Sequence, residues 1–74
     1  MATSQQEQHL AQSKRHIAEF KRRVTEQVAR VAEIQSDGRS TQDALKLLDQ
    51  FRETLRLGIE QRELILREMR GEFR

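Results

Sequence analysis

His9 and His16 are the only histidines in the chain, and they stand seven residues apart. On a helix that spacing puts both on one face but about 10.5 Å apart along the axis. One ion cannot bridge them there, because helical metal pairs use a spacing of four. A metal site would need ligands from a second subunit, and two solvated imidazoles on a charged helix are the plainer reading. The three glycines, Gly38, Gly58 and Gly71, are too scattered to form a phosphate-cradling loop. No Ser or Thr sits near a His in a triad-like context. There is no cysteine, so neither a thiolate ligand nor a disulfide staple is available. Most carboxylates fall on the outer faces of the predicted helices, where burial could not tune their acidity. An enzyme is not expected, and no cofactor or metal is assigned.

The remaining candidate for chemistry is a basic cluster, Lys14, Arg15, Lys21, Arg22 and Arg23. Such a cluster can meet phosphates or an acidic protein surface. The formal net charge is only +2, and Glu19, Glu26 and Glu33 form a balancing row beside the cluster. No aromatic residue stands among these charges to stack on bases. From Asp37 onward eight Lys and Arg balance eight Asp and Glu. Nucleic-acid binding is therefore not the leading expectation; the plainer reading is a solvated face balanced by the Glu row, with contact to an acidic partner as the functional one.

The elements that would position these residues are two helices joined at Ser36-Asp37-Gly38-Arg39-Ser40-Thr41-Gln42-Asp43. Gly38 suits the left-handed position just past a helix end. Ser40 can cap the next helix, with Asp43 three residues on as the reciprocal half of a capping box; Thr41 is a rival cap one residue later. The short connection predicts antiparallel neighbours. Helix 1 is expected over about residues 4–36, a turn over 37–40, and helix 2 over about 41–72, all in one domain spanning 1–74.

Helix 1 carries a heptad pattern. Position a holds Leu10, Ile17, Val24 and Val31, and position d holds Ser13, Phe20, Gln27 and Ile34. Sustained a/d apolarity is the signature of coiled-coil-like packing. Helix 2 has a wider stripe. Position a holds Thr41, Leu48, Leu55, Arg62 and Met69; position d holds Ala44, Phe51, Gly58 and Ile65; position e adds Leu45, Ile59, Leu66 and Phe73. An a/d seam satisfies one partner helix, and the added e row asks for another. Leu47, Leu57 and Leu64 lie outside even this stripe.

Folding the chain back about Gly38 predicts a seam of Ile17, Phe20, Val24, Val31, Leu48, Phe51, Leu55, Gly58 and Ile65. The expected register sets Val31 against Leu48, Gln27 against Phe51, Phe20 against Gly58 and Ile17 against Arg62. Gly58 would then make room for the Phe20 ring. Arg62 would lay its stem along Ile17 and carry its head to solvent, or else form an ion pair with another subunit.

The spaced pattern Arg15-His16-Ile17-Ala18-Glu19, Arg23, Gln27, Ile34, Gly38, Thr41, Ala44, Leu47-Leu48, Phe51, Leu55, Arg62 and Ile65 resembles a family of short uncharacterised α-helical hairpin proteins of α-proteobacteria. The resemblance covers about residues 14–67. It implies a cytoplasmic bacterial hairpin and carries over no activity, substrate, cofactor or functional residue. Members often have His near position 58, where this chain has Gly58.

The expected fold is an all-α antiparallel two-helix hairpin, coiled-coil-like, that dimerises into a four-helix bundle. Val28, Leu45, Ile59, Leu66 and Phe73 are the expected self-association residues. The expected role is a small non-enzymatic interaction or scaffold protein acting through helix–helix association, as a homodimer or with another helical protein. The alternative is binding of an acidic partner or nucleic acid through the basic face of helix 1. No apolar run is long enough to span a bilayer, no signal peptide is evident, and a cytoplasmic setting is expected.

Overall fold

The computed structural model describes residues 2–71, with side chains from residue 5 onward. Two helices account for nearly all of them, α1 (Ala2–Ser36) and α2 (Gln42–Met69), and no strand occurs among the described residues. They pack against each other as an antiparallel hairpin. α1 runs for 35 residues without interruption. Its sequence holds no Pro and no Gly, and good helix formers fill its outer face.

Gly38 ends α1 as its chemistry predicts. Its φ is +71°, a region in which a Cβ would be strained. The Gly38 N–H donates to the Gln35 carbonyl at 3.0 Å, and the Arg39 N–H donates to the Ile34 carbonyl at 3.1 Å. This pair of bonds is the Schellman motif, and it satisfies carbonyls that the helix end leaves open.

The start of α2 departs from expectation. Thr41 is the N-cap, but its side chain makes no capping hydrogen bond. The Ser40 hydroxyl accepts from the Gln42 N–H at a long 3.4 Å, and the reciprocal Asp43 half of the capping box is not among the hydrogen bonds of the described residues. Asp43 stays in the first turn, where its charge complements the helix dipole. α2 also stops earlier than residue 72. Gly71 has φ +74°, and its N–H donates to the Glu68 carbonyl at 3.1 Å. A left-handed glycine with the same short N–H bond thus stands at the end of both helices.

Every residue of the predicted seam is buried or half-buried. Ile17 is 3% exposed and Leu48 5%; the polar d-position residues Ser13 and Gln27 are each 8% exposed. The register, however, differs from the expected one. Phe20 meets the edge of Phe51, with ring centroids 6.0 Å apart, and not Gly58. Gln27 sends its Nε2–H to the Ala44 carbonyl at 2.9 Å and does not pair with Phe51. Gly58 faces Ile17 and His16: a Cβ built on it would lie 3.5 Å from Ile17 Cγ1 and 3.2 Å from His16 Cδ2. α2 thus sits one to two turns away from the expected alignment. A heptad pattern fixes which faces meet, yet a slide by one turn brings equivalent faces together again, so the pattern alone leaves the axial alignment open.

Arg62 follows the snorkelling alternative. It is half-buried, and its Nη2 reaches Glu63 Oε1 at 3.2 Å near the surface. Its Nε stays buried without a hydrogen-bond partner.

The hairpin measures 55 × 20 × 13 Å. It is a slab two helices wide and one helix thick, with both flat sides open. Ile17 and Leu48 are the only apolar side chains buried outright among the described residues, and no side chain is completely enclosed.

Candidate helix-association surface

Beside the a/d seam run two flanks. In an antiparallel pair the g rows of the two helices lie on one side and the e rows on the other. The g rows are His9, His16, Arg23 and Arg30 on α1, with Leu47, Thr54, Gln61 and Glu68 on α2. The structure shows these rows together: His9, Gln12, Ser13 and His16 line a groove with Gln61, Leu64, Ile65 and Glu68, of about 590 Å³, at the open end of the hairpin. The e rows, Lys14, Lys21 and Val28 with Leu45, Arg52, Ile59 and Leu66, flank the opposite side.

The groove brings polar groups together without arming them. No set of three or more His, Cys, Asp or Glu side chains able to hold a metal gathers among the described residues. The Ser13 hydroxyl is buried and has no hydrogen-bond partner, so no serine–histidine relay forms although both histidines line the same groove. His16 packs instead on Phe20, with ring centroids 4.7 Å apart, over the space that Gly58 leaves vacant.

The basic cluster divides. Arg23 pairs with Glu19 at 2.8 Å, and Arg22 lies 3.9 Å from Glu26. The Arg23 guanidinium also sits 4.9 Å from the Phe20 ring centre and 5.9 Å from that of Phe51, close enough to cover both rings by cation–π contact. Lys14, Arg15 and Lys21 are exposed and make no ion pair among the described residues. On α2, Arg56 is held between Glu53 and Glu60, its Nη1 donating to Glu60 at 2.6 Å. The hydrogen bond from Arg56 keeps the Glu53 carboxyl below its ordinary pKa.

Of the expected self-association residues, Val28 and Leu45 are each 44% exposed. Ile59 and Leu66 are half-buried, and Phe73 lies outside the described residues. The two most exposed large apolar side chains among the described residues are elsewhere, Leu57 at 51% and Leu64 at 46%, and Leu47 is exposed at 40%. Taken singly these leucines read as scattered surface residues. Their signal is a second alternation of three- and four-residue steps, Leu47-Gln50-Thr54-Leu57-Gln61-Leu64, which carries no charge. It is a second helical stripe on α2, beside the seam, with Gln61 and Leu64 bordering the groove shared with α1.

No family model, curated protein or solved structure matches the chain. Among the described residues no helix is long and apolar enough to cross a membrane.

Proposed function

We propose that this chain is a non-enzymatic, cytoplasmic interaction module that works by helix–helix association, and that two copies of its hairpin pair into a four-helix bundle. One observation carries the reading: among the described residues the closed hairpin buries only two apolar side chains outright, Ile17 and Leu48, and leaves Val28, Leu45, Leu57 and Leu64 at 44–51% exposure. A chain of this size rarely gains enough stability from a single thin core. Exposed apolar patches, where large enough, mark surfaces that meet a partner.

Self-association belongs on the uncharged Leu47-Leu57-Leu64 stripe. A second copy can approach it without bringing like charges together, and Gln50, Thr54 and Gln61 supply hydrogen-bonding groups that are complementary to themselves. The test is sedimentation equilibrium of the whole chain and of a Leu57→Gln, Leu64→Gln variant. The native chain should sediment at twice its own mass and the variant at one chain's mass. A native chain that stays single at high concentration rules the pairing out.

A further inference from the structure

The two flanks of the hairpin differ in charge, and from that difference we infer that the e-row flank takes an acidic amphipathic helix of another protein, laid along the seam as a third helix. The inference rests on the helix-association reading above and assigns it a second surface.

The flank is apolar at both ends of α2 and near the turn, through Val28, Leu45, Ile59 and Leu66. Between them stand Lys14 and Lys21 from α1 and Arg52 from α2, all exposed and none in an ion pair among the described residues. From Lys14 to Gln35 and from Leu45 to Leu66 the e rows hold no acid. Facing e rows of an antiparallel pair are normally the place for opposite charges to meet, and they decide which partner is accepted. Here both e rows supply cations, Lys14 and Lys21 on α1 and Arg52 on α2. The nearby acids of α2 are committed elsewhere, Glu53 and Glu60 to Arg56 and Glu63 to Arg62; Asp49, one row over, is the exception. On α1 the next row outward is Ala11, Ala18, Thr25 and Ala32, small side chains over which a helix can come close.

A second copy is a poor occupant, because it would set its own Lys14, Lys21 and Arg52 against these three. A helix with an apolar stripe edged by Glu or Asp fits both features at once. It covers Val28 and Leu45 and neutralises the cations. Phosphate would answer the charges and leave the apolar residues in water.

The test is fluorescence anisotropy with a labelled synthetic peptide of about four heptads, the length of the seam, with Leu at a and d and Glu at e and g. A matched peptide with Lys for Glu is the control. The Glu peptide should bind, more weakly as salt rises, and the Lys peptide should not. A Lys14→Gln, Lys21→Gln, Arg52→Gln variant should bind roughly tenfold more weakly, as three exposed ion pairs imply, while its sedimentation mass stays that of the native chain. Absence of Glu-peptide binding, equal binding of the Lys peptide, or an unweakened triple variant overturns the inference. So does a change in self-association on removing the three cations, which would put a second copy on this flank, or salt-sensitive retention of duplex DNA in place of the peptide. A single-chain native mass with Glu-peptide binding intact would sink the self-association reading alone.

Discussion

Gly58→Ala tests the observed register most sharply, because the expected and the observed alignments put different neighbours over that position. Replacing an interior helical glycine by alanine recovers about 1 kcal/mol of backbone entropy. The new methyl would lie 3.5 Å from Ile17 Cγ1, an ordinary contact, and 3.2 Å from His16 Cδ2, a tight one. His16 is exposed and can yield a few tenths of an ångström, but it is also stacked on Phe20 at 4.7 Å. Disturbing such a ring pair forfeits some of the ~0.5–1.5 kcal/mol it is worth. The net expectation is a gain between about 0 and 1 kcal/mol in the native background and the full ~1 kcal/mol in a His16→Ala background. In a domain of this size 1 kcal/mol moves Tm by roughly 4–8 °C. Gly58→Leu should have the opposite sign and cost about 1–3 kcal/mol, since its branched side chain must enter space held by Ile17. Urea unfolding followed by circular dichroism, at one fixed chain concentration, measures the native chain and all four variants. If Gly58→Ala is destabilising in both backgrounds and only Phe20→Leu relieves it, Phe20 faces the glycine and the observed alignment is wrong.

Three further outcomes are expected. Gly38→Ala should lose about 1–2 kcal/mol, the cost of a left-handed backbone for a residue with a Cβ, read as a lower urea midpoint with unchanged slope. Ser13→Ala should raise stability by roughly 0.5–1 kcal/mol, because it removes a buried hydroxyl with no partner and improves helix propensity; a loss in the same assay would mean that the hydroxyl is bonded. Arg56→Gln should return the Glu53 carboxyl to its ordinary titration range, followed by carbon NMR. The sign follows from the lowered Glu53 pKa: the stabilisation is present above the unfolded-state pKa and is lost as pH falls through the lowered folded-state value. Both side chains are exposed, so the change should be larger in the titration than in the melting curve, and an unmoved Glu53 midpoint would refute the assignment.

Local chemistry made much of this fold legible. The end of α1 could be read because only Gly38 interrupts a long run of helix formers, and the buried face could be read because a and d positions recur. The same glycine signal stands at Gly71, with Arg67 and Arg70 before it, and it marks the end of α2 better than the continuing e row does. The axial alignment was not legible, since sliding by one turn preserves the heptad match and only the loop geometry chooses. The capping box failed because Thr41, and not Ser40, takes the N-cap position. The uncharged stripe of Leu47, Leu57 and Leu64 was visible as residues but not as a surface. Its meaning depends on where α1 lies: α1 covers the seam and leaves Leu47, Leu57 and Leu64 exposed beside it.

The most direct measurement is the thermal midpoint of the native chain across a hundredfold or so range of concentration. Folding coupled to association ties stability to mass action. A slab one helix thick with two buried apolar side chains among the described residues predicts a midpoint that climbs steadily as chains are added. A sharp, cooperative transition at the same temperature throughout would show that the lone hairpin is stable by itself, and that its open flanks need no company.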